Sequence, residues 1–210
     1  MLIDNIAFFG DSFCADFEDS YIESLSKDYN ITHMGYHGTG LTYAVDDFRN
    51  FLTNNNLSNT FFVFCNSARV RKQIQHPNGE RPLPFSNDPG IEEDFSKKFI
   101  QAISLHEIYI QNHKEDLRNY LNALEAQQWL IHKFKIKYFK RFLCFKSEAN
   151  VLNCPLNFFY DNTRFSNLVD LSCYFEKNAH KKPEYKNHFS PQGNKAMDFI
   201  IREAINEHTN

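Results

Sequence analysis

The sequence predicts an α/β fold, a three-layer α/β/α sandwich around a central parallel sheet. Three observations carry that expectation. Short apolar runs recur at Leu2–Phe9, Tyr29–Met34 and Thr60–Cys65, stretches with helical spacing separate them, and the connections are short. Repeated strand–helix–strand units of this kind lay the strands parallel and put helices on both faces. A length of 210 residues fits one domain large enough to bury a substantial core.

Taken in order, Leu2–Phe9 is a buried strand ended by Gly10-Asp11-Ser12. Phe13–Asp28 follows with helical spacing at Phe17, Tyr21 and Leu25. Tyr29–Met34 is a second strand, ended by the cluster Gly35, Gly38 and Gly40. Leu41–Leu52 is an amphipathic helix whose apolar stripe is Leu41, Ala44, Val45, Phe48 and Leu52. Thr60–Cys65 is a third buried strand. Ser67–Pro89 is polar, contains four prolines and lacks periodicity, so it reads as a long functional or mobile loop. Helices are then expected over about Ile91–His113 and Lys114–Lys133, and a fourth strand at Phe142–Phe145. Leu156–Tyr160 and Leu168–Cys173 are weaker strand patterns. A final helix runs from about Pro191 to Glu207, with proline in its first turn and Ala196, Phe199, Ile200 and Ala204 on one face. The chain 1–210 is therefore expected to be a single domain with a loop and helical insertion around 67–135.

Composition narrows the function classes. With 23 basic and 26 acidic side chains, bulk electrostatic binding to nucleic acid or membrane is not expected. Five cysteines (Cys14, Cys65, Cys144, Cys154, Cys173), an odd number without a CxxC pair, disfavour a disulfide framework and a zinc ribbon. They suit a reducing compartment. The N-terminal run lacks a basic flank and carries Asp4, unlike a signal peptide, and no stretch approaches the ~20 apolar residues of a membrane span. A soluble, cytoplasmic protein without a cofactor is the expectation. Glycine is scarce: there are 7, where average usage of ~7% would give roughly 15. A chain this sparing keeps glycine where a side chain would be intolerable.

Three loops leave the carboxyl ends of the first three strands, beginning with Gly10-Asp11-Ser12, the Gly35–Gly40 cluster and Asn66. Open α/β sheets form their sites outside these ends. In a flavodoxin-like strand order, 2-1-3-4-5, strands two and three flank strand one, and the loops converge. Ser12 then stands at a helix start, where backbone N–H groups favour an anion.

These residues resemble the SGNH (GDSL-like) hydrolases. Phe8-Phe9-Gly10-Asp11-Ser12 is similar to the family's first block, Gly38 in His-Gly-Thr-Gly to the second, and Asn66 after the third strand to the third. Asn187-His188-Phe189-Ser190-Pro191-Gln192-Gly193 resembles the terminal histidine block. The resemblance implies that Ser12 is the nucleophile and His188 its general base and acid. It implies an oxyanion hole made of the Ser12 and Gly38 backbone N–H groups and the Asn66 side-chain amide. Two positions depart from the family pattern. The aspartate three residues before the histidine is Tyr185 here; Glu184 is the nearest carboxylate, and a backbone carbonyl is the alternative partner for the ring. Block three normally reads Gly-x-Asn-Asp, whereas this chain has Phe64-Cys65-Asn66-Ser67.

Other features read more plainly. The Gly35–Gly40 spacing is neither GxGxxG nor a P-loop. His33 and His37 are four apart but have no nearby third ligand, so no metal is expected. Asp11 reads as a structural residue bonding loop backbone. His132–Lys146 holds six Lys/Arg interleaved with aromatics, either an RNA-binding segment or a helix end and strand entry with lysines in water. Arg69 and Arg71 stand where they would line the rim for an anionic or sugar substrate, or belong to a solvated loop. The resemblance implies a serine esterase acting on a small acyl ester, with an O-acetyl group on a carbohydrate as the preferred substrate. The alternative is an SGNH-like domain without efficient hydrolysis, serving as a binding or structural module, for example in a virus or cell-surface assembly.

Overall fold

The computed structural model describes residues 2–15, 18–37, 39–66, 72–75, 82–85, 113–144, 168 and 189–209. In chain order these form β1 (Asn5–Gly10), a 3-10 turn (Ser12–Cys14), α1 (Tyr21–Leu25), β2 (Asn30–His33) and α2 (Leu41–Asn54). Then come β3 (Thr60–Asn66), β4 (Lys72–Gln75), β5 (Pro82–Phe85), α3 (His113–Lys133), β6 (Phe139–Leu143) and α4 (Pro191–Thr209). The main sheet has the order β2-β1-β3-β6 with every neighbouring pair parallel. This matches the first four places of the expected order. β4 and β5 form a separate antiparallel pair.

The central strands are continuous apolar runs because both of their faces are covered. Ile6 and Phe8 of β1, with Phe61, Val63 and Cys65 of β3, face a cluster completed by Tyr21, Ile22 and Leu25 of α1 and Met197, Ile201 and Ile205 of α4. The alternate residues Ala7, Phe9, Phe62 and Phe64 face Leu41, Val45, Phe48 and Leu52 of α2 and Tyr120, Leu124 and Leu130 of α3. Phe48 is the keystone of this second face. Its ring lies 5.0 Å from Phe9, 5.8 Å from Phe62 and 4.8 Å from Phe64, all edge-to-face.

Several expectations need correction. The helix predicted over Phe13–Asp28 is a 3-10 turn and then, after Asp19 at φ 53°, the five-residue α1. Ser20 starts α1 as its cap: its Oγ accepts from the Ile22 N–H at 3.1 Å and the Glu23 N–H at 3.3 Å. The fourth sheet strand starts at Phe139 and not Phe142, because Lys135 (φ 53°) turns the chain after α3 and the Tyr138 carbonyl already accepts from the Phe62 N–H at 2.9 Å. The polar stretch Ser67–Pro89 contains β4 and β5, four residues each: β4 has a single apolar residue, Ile74, and the prolines Pro82 and Pro84 in β5 read as loop residues. Within the weak strand pattern Leu168–Cys173, the one described residue, Leu168, is helical and buried in the first cluster. The predicted helix Ile91–His113 (apart from His113, which opens α3) and the strand Leu156–Tyr160 lie outside the described residues. Among the described residues no helix is long and apolar enough to cross a membrane.

β2 carries a bulge that shapes the sheet edge. The register steps from Ile6↔Ile31 to Ala7↔His33, leaving Thr32 over, and the Thr32 hydroxyl donates to the Ile6 carbonyl at 3.2 Å. His33 thereby stacks on Phe9 at 4.6 Å, and its Nε2 lies 2.6 Å from Asp47 Oδ2 on α2.

β1 ends at Gly10, whose φ is 150° and whose missing Cβ would stand 2.1 Å from the Cys65 carbonyl oxygen. A methyl group there meets backbone on a neighbouring central strand, which cannot yield. Gly10→Ala is expected to cost roughly 2–6 kcal/mol, combining backbone strain with overpacking. Urea denaturation measures this, and an unchanged midpoint would contradict the close approach.

Candidate functional site

The turn after β1 is built by the residue before Ser12. Asp11 is fully buried; one carboxylate oxygen accepts from the Phe13 N–H at 3.1 Å, and its carbonyl accepts from the Cys14 N–H at 3.0 Å. Asp11 therefore caps the 3-10 turn, as its sequence position suggested. The Cys144 thiol approaches the same carboxylate oxygen at 3.5 Å, and the Cys14 thiol donates to the Asp11 carbonyl at 3.4 Å. Ser12, the first residue of the turn, is 7% exposed. It sits at the carboxyl edge of the sheet with the turn pinned from below.

The loop after β2 is fastened to the same edge. The Gly10 carbonyl accepts from the Tyr36 N–H at 3.1 Å and lies 2.8 Å from the Thr39 hydroxyl, which also reaches the Tyr36 carbonyl at 2.9 Å. The Gly35 N–H donates to the Cys14 carbonyl at 2.9 Å. A Cβ on Gly35 would fall 2.6 Å from both the Cys14 sulfur and the Gly10 carbonyl oxygen. Here glycine is required by close approach. The loop also presents Tyr36, 41% exposed, edge-on to Tyr43 at 5.6 Å. Both phenols are pushed up by partial burial, Tyr36 further by Asp47, and Tyr43 by Tyr36 and Asp47.

At the end of β3 stands Asn66, fully buried. Its amide pairs reciprocally with that of Gln127 on α3: Asn66 Nδ2 donates to Gln127 Oε1 at 3.2 Å, and Gln127 Nε2 donates to Asn66 Oδ1 at 3.2 Å. The Asn66 carbonyl accepts from the Cys144 N–H at 3.0 Å. Backbone and side chain of Asn66 are thus held from two directions.

The start of α4 closes on this edge from the other end of the sequence. Phe189 packs edge-to-face on Phe13 at 5.0 Å and on Tyr21 at 5.7 Å. Ser190 is buried and caps α4, its Oγ accepting from the Gly193 N–H at 3.2 Å and its carbonyl accepting from the Asn194 N–H at 2.9 Å. Asn194 then bridges to α1: its Oδ1 accepts from the Tyr21 N–H, and its Nδ2 donates to the Asp19 carbonyl, both at 3.2 Å. The pattern Ser-Pro-x-Gly is therefore a helix start, with proline where its missing N–H costs nothing.

Beneath the turn, Cys14, Cys65 and Cys144 are buried thiols. Burial, then the neighbouring Cys65 thiol and the charges of Asp11 and Cys144, push the Cys14 thiol well up. The Tyr21 phenol, which donates to the Phe13 carbonyl at 2.8 Å, is raised by burial and by the same thiols. Burial thus favours the protonated Cys14 thiol, which serves as packing and as a hydrogen-bond donor to the Asp11 carbonyl.

Of the site residues expected from sequence, Ser12 lies just after β1 and Asn66 ends β3. Gly38, Arg69, Arg71, Glu184 and His188 lie outside the described residues. His33 is engaged by Asp47. In the basic segment, Lys133, Lys135 and Lys137 are exposed while Phe134 and Ile136 pack on the core, the helix-end reading; Arg141 departs from it, being buried with its guanidinium donating to Gln128 Oε1 at 2.6 Å. Gln127 was missed. Its signal is a lone amide on the apolar stripe Tyr120, Ala123, Leu124, Leu130 and Ile131 of α3. No known protein-family model matches the chain, and no curated protein matches it either.

The raised Cys14 and Tyr21 groups make a pH prediction. The unfolded chain releases the thiol proton near ~8.5 and the phenol proton near ~10, while the folded chain holds both. Above those values the unfolded state binds fewer protons, so stability falls as pH rises. Urea midpoints are expected to drop between about pH 7.5 and 10.5, and Tyr21→Phe to flatten the fall above about pH 10. A wild-type midpoint constant across this range would contradict the assignment.

Proposed function

We propose that this chain is a serine esterase of the SGNH type that hydrolyses a small acyl ester, with an O-acetyl group on a carbohydrate as the preferred substrate. One observation carries the reading. Phe13 and Phe189, which follow Ser12 and His188 in sequence, pack ring against ring at 5.0 Å. The neighbours in sequence of the proposed nucleophile and base, Phe13 and Phe189, therefore meet at the carboxyl edge of the sheet, and this contact supports the reading.

In this mechanism Ser12 Oγ attacks the acyl carbon while His188 takes the hydroxyl proton. The carbonyl oxygen becomes an oxyanion held by the Ser12 and Gly38 N–H groups and Asn66 Nδ2. Collapse breaks the ester bond, and His188 returns the proton to the departing alcohol. Water, deprotonated by His188, then cleaves the acyl-serine and releases the acid. Glu184 or a backbone carbonyl orients the imidazole. The Asp11-capped turn suits this chemistry, because it holds the backbone at Ser12 before charge develops.

Tyr185, at the position where the family carries aspartate, favours a second reading: a domain of this type that binds without efficient turnover. Losing the triad acid costs ~10⁴ in kcat in serine proteases.

The two readings separate in one experiment. A fluorophosphonate should label the wild-type chain and not Ser12→Ala, and aryl acetate hydrolysis should fall by at least ~10³ in Ser12→Ala. Equal labelling of both chains, or none, together with no acetate hydrolysis, would remove the esterase reading and leave the binding module.

A further inference from the structure

We propose that Gln127 is a positioning residue for Asn66, fixing the side-chain amide that serves as the third oxyanion donor; the role rests on the esterase reading above. The structure offers a specific reason for an amide at this place. Gln127 occupies the buried stripe of α3, between Leu124 and Leu130, where an apolar side chain would fill the same space with no polar group to satisfy. Its one described side-chain partner is Asn66, joined by two reciprocal hydrogen bonds at 3.2 Å with both residues fully buried.

Reciprocity has a geometric consequence. A terminal amide is planar, and rotation about its last torsion exchanges oxygen for nitrogen. Turning either amide alone would set oxygen against oxygen and N–H against N–H, which a buried site does not tolerate. The pair therefore locks the plane of the Asn66 amide. Once one Nδ2–H is committed to Gln127 Oε1, planarity fixes the direction of the other. Oxyanion donors act through such pre-set directions, and a donor free to rotate loses much of its effect. The support is rigid in turn, since Tyr120, Leu124, Leu130 and Ile131 bury α3 against the sheet. Family block three normally places glycine and aspartate around its asparagine; here Phe64 and Ser67 stand there, and the amide on α3 supplies orientation from across the core.

The test uses the full chain, a fluorophosphonate and an aryl acetate. Gln127→Met removes both hydrogen bonds at similar volume, and Gln127→Glu keeps only the acceptor. Gln127→Met is expected to slow Ser12 phosphonylation and kcat about tenfold or more with KM within about twofold, and Gln127→Glu to retain an intermediate rate. In an Asn66→Ala background, Gln127→Met should change these rates less than about twofold, because its effect passes through the missing amide. Equal slowing in both backgrounds, a change confined to KM, or wild-type rates in Gln127→Met would overturn the role. Should Gln127→Met not fold, Gln127→Glu in both backgrounds decides in the same way. Side-chain amide hydrogen exchange of Asn66, slow in the wild type and fast in Gln127→Met, reads the pair without activity. Protected exchange in a wild type that shows no Ser12-dependent labelling would overturn the esterase reading and the positioning role together, leaving a purely structural amide pair.

Discussion

The backbone of Gly10 is the constraint on which the carboxyl edge of this sheet depends. Its missing side chain lets the Cys65 carbonyl of β3 come within a distance no Cβ would permit, and its own carbonyl gathers the Tyr36 N–H and lies within reach of the Thr39 hydroxyl. Two loops and a neighbouring strand end are thus referred to a single peptide unit. Were that carbonyl directed elsewhere, the turn holding Ser12 and the loop after β2 would lose their common anchor. The adjoining Gly35 serves the same junction from the opposite side, against Cys14.

Around this junction the protein handles its buried polar groups by closing them on one another. Asp11 spends its carboxylate on the turn and meets a thiol, Asn66 and Gln127 exchange amide hydrogen bonds, and Ser190 caps α4. Each arrangement lies at the margin of an apolar cluster, where water cannot substitute and a lost partner leaves an unsatisfied group. The aromatic packing on both sheet faces supplies the rigidity. Phe9 touches His33, Phe48, Phe51, Phe62 and Phe64, so the strand that ends at the turn is braced along its length. Stiffness below and satisfied polar groups above together give a fixed rim.

The central strands and α2 were legible because burial on both faces, or on one helical stripe, writes itself into local hydrophobicity. Thr60–Asn66 is buried at every position, and its apolar run shows this directly. The start of α1 was less legible: spacing at Phe17, Tyr21 and Leu25 suits a helix, but Asp19 with positive φ and the Ser20 cap impose a later start. β4 and β5 pair through backbone groups, which leave no periodic trace. For the site, Ser12 and Asn66 could be read as strand-end residues next to glycine or apolar runs. Gln127 could not be paired with Asn66 from sequence, because 61 residues separate them and only the packing of α3 brings them together. The same holds for Cys14, Cys65 and Cys144, which share a neighbourhood through three different strand ends.

The attachment of α4 to α1 has a temporal consequence. Asn194 joins Asp19 and Tyr21, and Arg202 pairs with Asp28 at 2.7 Å, contacts spanning more than 170 residues of chain. α4 supplies Met197, Ile201, Ala204 and Ile205 to one face of the sheet. During synthesis that face lacks the residues of α4 until the helix leaves the ribosome, although α2 and α3 already precede it to cover the other. Until then Ile6, Phe8, Phe61 and Val63 lack the part of their packing that α4 supplies. Phe189, directly before α4, brings its ring against Phe13 beside Ser12, so the packing of the last helix and that of the Ser12 turn are joined.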